Sequence, residues 1–211
     1  DLAWSRGLGD VYKRQVYWRV IEQYGVKALF TAPTAFRAIR KEDPNAKLLE
    51  KHELDCLKTL FLAGERSDPD TIGWAEEILG VPVVDHWWQT ELGWPAIANC
   101  QGIEPMPIKP GSSSVPVPGF DLRVLDEEGQ QLSANEIGNL VIKLPLTPGS
   151  LSTMWDNEQG YIDNYLSRYP GYYLTGDAGY IDEDGYVSIM SRIDDIILSL
   201  IHISEPTRPS Q

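Results

Sequence analysis

Positive charge is scarce in this chain: 18 lysines and arginines stand against 31 aspartates and glutamates, a net charge of −13. Such an excess repels phosphodiester backbones and anionic membrane surfaces, so neither nucleic acid nor a membrane is an expected partner. Cysteine is nearly absent. Cys56 and Cys100 lie far apart without a CxxC spacing, which argues against a disulfide framework or a zinc site and fits a reducing cytoplasm; a mitochondrial matrix fits equally if the source is eukaryotic. The three histidines, His52, His86 and His202, are scattered, so no protein-bound transition metal is expected. No apolar run approaches the roughly 18 residues of a membrane span, and the N-terminus lacks the apolar core of a signal peptide. A Gly-x-Ser-x-Gly elbow, a Walker loop and a GxGxxG fingerprint are all missing, which leaves no candidate protein nucleophile and no familiar phosphate-cradling loop. What remains is a chain of 211 residues, 42% hydrophobic, long enough to bury a sizeable core.

The two ends, residues 1–15 and 198–211, do not continue the pattern between them. The second breaks into a hydrophobic run at Ile196 and Ile197 and then becomes a Pro- and Ser-rich tail. Both resemble translated sequencing-adaptor sequence, so the fold is read from residues 16–197.

Residues 16–110 alternate helix and strand, the pattern of parallel strands with crossover helices. A helix is expected to end at Tyr24 with Gly25 as its cap, followed by a strand over Lys27–Thr31 and a helix from Pro33 to about Lys41. Leu57–Ala63 reads as a second strand. Ser67 or Asp68 should cap a helix running to Leu79, and Val81–Asp85 reads as the third strand. Three strand-to-loop junctions then share one end of a sheet, where open α/β folds place ligands. Residues 111–192 change character to short strands with hairpin turns: Asp121–Asp126, Gly138–Leu144, Tyr172–Thr175, Gly179–Asp182 and Tyr186–Met190, interrupted by one expected helix over Asn157–Arg168. The DEEG at Asp126–Gly129 and the DEDG at Asp182–Gly185 read as tight turns. The second is not an EF-hand, because the downstream bidentate Glu is missing. The expected fold class is α/β, mainly parallel layers followed by a β-rich subdomain.

Four stretches carry candidate chemistry. DHWWQTELGW, Asp85–Trp94, sets an amide, a hydroxyl and a carboxylate (Gln89, Thr90, Glu91) in one loop, suited to a phosphate and to Mg²⁺, a hard cation that prefers oxygen. Its tryptophans, taken alone, read more readily as core packing. FLAGERSDP, Phe61–Pro69, breaks a buried strand at Gly64 and exposes Glu65 just before a helix N-terminus, where backbone N–H groups suit purine or phosphate contacts; the alternative is a plain turn. YYLTGDAGY, Tyr172–Tyr180, offers Asp177, a carboxylate able to clamp the two hydroxyls of a ribose or simply an Asp in a hairpin turn. SRIDD, Ser191–Asp195, pairs Arg192, which can reach a phosphate, with two acids just past the last strand; the alternative is a solvated charged loop.

The order and spacing of these stretches, together with TAPT (Thr31–Thr34) and PGSSSVPVPG (Pro110–Gly119), resemble the acyl-CoA synthetases of the adenylate-forming superfamily over essentially all of residues 16–197. The chain is most similar to the acetyl-CoA and propionyl-CoA synthetase branch, and over Leu144–Asp195 to the member that prefers propionate. The resemblance implies an internal part of a larger adenylation domain that uses ATP, Mg²⁺ and coenzyme A to activate a short carboxylic acid, with AMP as product. It implies nucleotide contacts at Gly64, Glu65, Arg66, Asp85, His86, Trp87, Gln89, Thr90, Asp177 and Arg192. Catalytic roles fall to Thr90, Glu91 and Arg192, with Glu91 as the Mg²⁺ ligand. Trp88 floors the acyl pocket, and Asp194 is the hinge of residues 193–197. The chain departs from the family pattern at Arg66, where Pro is usual, at Leu92, where a second Thr is usual, and at Ser191, where Gly is common. The family's phosphate loop is expected upstream of Val16 and its catalytic lysine downstream of Ile197, so the chain by itself is expected to be inactive. Competing readings are a ligase for acetate or a longer acid, and a non-catalytic nucleotide-binding module.

Overall fold

The computed structural model describes residues 9–65 and 67–193, with side chains from Val16 onward. Arg66 and Asp194 lie outside the described residues. The chain forms two compact units, one reaching Trp87 and taking in Pro107–Gly111, the other made of Trp88–Met106 and the residues from Ser112 onward.

In the first unit, helix α1 (Gly9–Tyr24) ends where expected. Gly25 adopts φ 60, and the Val26 N–H donates to the Ile21 carbonyl at 3.0 Å, satisfying a carbonyl that the helix leaves open. Strands β1 (Ala28–Thr31), β2 (Thr59–Leu62) and β3 (Val83–Asp85) form one parallel sheet in that order. Parallel strands need crossovers, supplied here by α2 (Pro33–Glu42) and α3 (Pro69–Leu79). Pro33 and Pro69 each stand in a first turn, where a missing N–H costs nothing. Asp68 caps α3, its Oδ1 accepting from the Thr71 N–H at 2.8 Å and its Oδ2 from the Thr71 hydroxyl at 2.8 Å. The buried face of α2, Pro33, Phe36 and Ile39, repeats at helical spacing and joins Trp18, Ile21, Leu60, Leu62, Ile72, Trp74 and Val83 in the core. Register aligns Thr31 with Leu62 and Leu62 with Asp85, so all three strands end level.

The second unit is built on a four-stranded antiparallel sheet in the order β10 (Val187–Arg192), β9 (Tyr172–Ile181), β8 (Gly138–Lys143), β7 (Leu122–Leu125). Before it, β5 (Pro95–Ala98) pairs antiparallel with β6 (Val115–Pro116); the two-residue strand Trp87–Trp88 is β4. Both acidic turns are built the same way. Asp126 Oδ1 accepts from the Glu128 and Gln130 N–H groups at 3.0 and 2.7 Å; Asp182 Oδ1 accepts from the Asp184 and Tyr186 N–H groups at 2.9 Å each. The side chain replaces a backbone acceptor and reverses the chain.

Two expectations are corrected here. Tyr172–Thr175 and Gly179–Asp182 are not separate strands: β9 runs unbroken through Gly176 and Asp177. The helix expected over Asn157–Arg168 is a single α turn, α4 (Glu158–Tyr161), which widens into a π turn over Ile162–Leu166. Asn157 starts it by accepting from the Gly160 N–H at 3.0 Å.

Candidate functional site

The carboxyl ends of β1, β2 and β3 bring together three of the stretches singled out in the sequence. Glu65 follows β2, and its carboxylate is held by α2, the preceding crossover: Oε1 accepts from the Thr34 N–H at 2.8 Å and Oε2 from Arg37 at 2.6 Å. Arg37 also reaches Asp68 at 3.2 Å. Glu65 therefore fixes the shape of its turn, while Gly64, at φ 95, bends the strand end as only glycine does readily. His86 follows β3, its N–H donating to the Leu62 carbonyl at 3.0 Å and its ring lying 5.2 Å from Phe30 and 5.9 Å from Phe61. It is buried with Nδ1 unpartnered, and burial lowers its pKa, so it is neutral at pH 7.

Asp85 is also buried, and that burial, opposed by the donating His86 N–H, pushes its carboxyl up to about 7 from an ordinary 3.8. The folded chain thus keeps a proton that the unfolded chain releases near pH 4. Stability from this group is complete below pH 4 and is lost as pH rises through 7, by up to ~4 kcal/mol for a shift of about three units. Asp85→Asn cannot ionise, so its melting temperature should fall less than the wild type's between pH 5 and 8. His86 biases stability the opposite way in both proteins and cancels in the comparison. Circular dichroism melts at several pH values check this, and parallel wild-type and variant curves would refute it.

In the second unit, Asp177 and Arg192 meet through two irregularities at one level of the sheet. Between β8 and β9 the register jumps from Asn139↔Ala178 to Val141↔Leu174, so β9 carries extra residues at Thr175–Asp177. Between β10 and β9 it shifts between Ile189 and Ser191, so β10 carries Met190 as its own extra residue. Each is a β-bulge, which re-aims side chains. Together they set Arg192 opposite Asp177, with Arg192 Nη1 3.5 Å from Asp177 Oδ1. Gly176 is at φ 74, and a Cβ there would lie 2.8 Å from the Arg192 guanidinium. Ser191 and Arg192 belong to β10 rather than to a loop beyond it.

Tyr173, Thr175 and Asp177 recur at the two-residue period that shares one sheet face, and Gln89 runs along them. Its Nε2 donates to the Thr175 carbonyl at 2.6 Å and to Asp177 Oδ2 at 3.0 Å, and its Oε1 accepts from the Tyr173 hydroxyl at 3.2 Å. Asp177 is buried, its side chain 9% exposed, whereas that of Arg192 is 54% exposed. The carboxylate is thus fixed, and the guanidinium has reach. Glu91, half-buried in the 3-10 turn Thr90–Leu92, accepts from the Tyr165 hydroxyl at 3.1 Å through Oε1. Thr90 is exposed. Trp88 is 42% exposed and so is not core packing.

The second unit fits Mg²⁺ in one particular way. Among the described residues no cluster of three or more His, Cys, Asp or Glu could hold a metal, so Glu91 belongs to no all-protein metal cage. Mg²⁺ characteristically takes one or two carboxylates and completes its shell with substrate phosphates and water. Tyr161, Tyr165 and Tyr173 carry this arrangement and went unnoticed in the sequence. Tyr165 reaches Glu91 and Tyr173 reaches Gln89 across 74 and 84 positions, while Tyr161 holds Leu151, and none of these contacts leaves a local pattern.

Among the described residues no helix is long and apolar enough to cross a membrane, and Cys56 and Cys100 are both free. The sequence profile described as AMP-binding enzyme matches residues 7–149. The chain is 50% identical over 182 residues to the mitochondrial acyl-CoA synthetase short-chain family member 3 of Bos taurus, covering 86% of this chain and 26% of that protein. It is 41% identical over 184 residues to the propionate–CoA ligase of Salmonella typhimurium, covering 86% and 29%. Among solved structures it resembles the anthranilate CoA ligase AuaEII in complex with anthranoyl-AMP, with a TM-score of 0.72 at 27% identity over 86% of this chain and 33% of that one. The chain therefore spans between a quarter and a third of the length of these proteins. Matched by that profile over most of its length and half-identical to a curated short-chain synthetase, the chain belongs to the AMP-binding enzyme family of adenylate-forming acyl-CoA synthetases.

Proposed function

We propose that the protein to which this chain belongs activates propionate with ATP and passes the propionyl group to coenzyme A. A propionate oxygen attacks the α-phosphorus of ATP and pyrophosphate leaves. The thiolate of coenzyme A then attacks the acyl carbon and AMP leaves, the thiol proton going to solvent. The observation that carries this reading is the fixed, buried Asp177 set opposite a partly exposed Arg192 and tied to Gln89. A carboxylate accepts about four hydrogen bonds, so Asp177 can hold the two ribose hydroxyls of an adenylate while keeping Gln89. Arg192 and the exposed Thr90 hydroxyl are assigned to phosphate, where fixed charge and donors lower the barrier. Mg²⁺, when bound, would be held by Glu91 and would neutralise phosphate charge. Gly64, Glu65, Asp85, His86 and Trp87 of the first unit are assigned to nucleotide contacts, and Trp88 to limiting the length of the acid. The similarity to a named propionate–CoA ligase supports the choice of acid. A reducing compartment, cytoplasm or mitochondrial matrix, is part of the same reading, supported by two free cysteines and a relative named mitochondrial. The 211-residue chain alone we assign the ribose and metal parts of this chemistry without turnover.

Exchange of labelled pyrophosphate into ATP by the protein encoded by the uninterrupted reading frame should require propionate and run more slowly with acetate or butyrate. Exchange favouring one of the others would reassign the acid. Nucleotide binding without exchange for any acid would establish the non-catalytic module instead.

A further inference from the structure

The turn that replaces the expected helix over Asn157–Arg168 grips Glu91 twice. Its Tyr165 hydroxyl donates to Glu91 Oε1 at 3.1 Å. Its Tyr161 hydroxyl donates to the Leu151 carbonyl at 2.9 Å, and the Leu151 N–H donates to the Glu91 carbonyl at 2.6 Å. One tyrosine thus holds the carboxylate, and the other braces the strand of chain that holds the backbone. The two rings lie 5.5 Å apart. Tyr165 in turn stacks on Tyr173, centroids 5.2 Å apart and planes within 5°, and Tyr173 is fully buried and donates to Gln89. Two stacked rings, Tyr165 and Tyr173, therefore link the carboxylate of Glu91 to the amide that holds Asp177. Such widening of a helix by a π turn recurs at functional sites, and here the widened turn carries Tyr165.

We infer that Tyr165 is a positioning residue that presents Glu91 to a divalent cation, its hydroxyl taking Oε1 and leaving Oε2 for the metal. The inference rests on the reading of Glu91 as the cation ligand. A lone glutamate with three rotatable bonds loses rotamer freedom when it binds a metal. A carboxylate already pinned at one oxygen has lost much of it beforehand, and preorganisation of this kind appears as affinity. An opposing effect exists: a hydroxyl donating to a carboxylate draws charge from it. The sign of the measured change therefore decides whether positioning dominates.

The test uses the whole chain and Mn²⁺ as the probe, with the free ion counted by its electron paramagnetic resonance signal during titration in the presence of ATP. Tyr165→Phe keeps the ring and its stack on Tyr173 and deletes only the hydroxyl. It should weaken Mn²⁺ binding to the ATP complex by about 3- to 10-fold, the size of the net contribution of one ordinary hydrogen bond, since the hydroxyl acts on the metal only through Glu91. In a Glu91→Gln background the same change should do nothing further, an outcome that general loosening of the turn would not produce. AMP affinity in EDTA, and a far-ultraviolet dichroism melt, give the reference against which the metal effect is read. Should Tyr165→Phe unfold the chain, Tyr161→Phe, which releases Leu151 while leaving the Tyr165–Glu91 bond, takes its place with a smaller loss expected. Wild-type binding of Mn²⁺–ATP that is unchanged or tightened in Tyr165→Phe overturns the role of Tyr165 alone. ATP binding with no Mn²⁺ recruited by the wild type, or recruitment that survives Glu91→Gln intact, overturns the reading of Glu91 and this inference with it.

Discussion

Asp177→Ala is expected to weaken AMP binding by the whole chain by roughly one to two orders of magnitude, measured by isothermal titration calorimetry. Hydrogen bonds to a charged group contribute ~1.5–3 kcal/mol, and each 1.4 kcal/mol is about tenfold in affinity. The variant removes the carboxylate assigned to two ribose hydroxyls and leaves Arg192 without its cross-strand partner. The fold should survive. Gln89 Nε2 keeps the Thr175 carbonyl at 2.6 Å, and the Arg192 side chain, 54% exposed, turns to water. The expected stability loss is therefore only ~1–2 kcal/mol, and Asp177→Asn, which preserves the shape, should lose binding with an even smaller shift in melting. Unchanged AMP affinity in both variants would remove ribose binding from Asp177 and reduce the Arg192 pair to a structural contact.

Trp18→Ala is expected to have the largest effect on stability, ~3–5 kcal/mol, the usual range for deleting a buried large aromatic ring. Trp18 is 1% exposed, and its ring meets Phe36 edge-on at 6.1 Å, which in turn meets Trp74 at 6.4 Å. This chain of rings joins α1 to both crossover helices, so the cavity cannot be closed by moving one helix alone. Against a marginal stability of ~5–15 kcal/mol, such a loss should lower the melting temperature by about 15 °C or more. Differential scanning calorimetry would show it, and a drop of less than about 5 °C would mean that α1 contributes little to the core of its unit.

The first unit was legible because each of its boundaries is set by neighbouring residues. Gly25 and Gly80 stop helices, Pro33 and the Asp68–Pro69 pair start them, and the short apolar runs between suit parallel strands, buried in β2 and β3 and partly exposed in β1. The second unit hid its functional part because Gly–Asp carries one local message with two outcomes. A glycine at positive φ followed by a polar residue suits a hairpin turn and a bulge alike. Only the pairing of β9 with β8 and β10 selects the bulge, and no local window contains that information. Asp177, Arg192 and the Gln89–Glu91 loop stand out as candidates through their order along the chain. The tyrosines that hold them were not, because Tyr165 reaches Glu91 across 74 positions and looks, locally, like one aromatic among several on a helix.

The doubled bulge makes the site depend on whether residue counts are odd or even. The hairpin from Asp177 to Arg192 closes at the Asp182–Gly185 turn, outside the irregular region. Residues added or removed at that turn change loop length, which costs little, and leave the two charged residues facing each other. Deleting Met190, the unpaired residue of β10, would flatten the bulge while Ser191 and Arg192 keep Ala178 and Asp177 as partners; adding a residue between Ser191 and Arg192 would instead carry the guanidinium to the opposite side of the sheet. The hairpin can therefore accept grafted loops of many lengths, provided the arithmetic between its bulges and its two candidate residues stays the same.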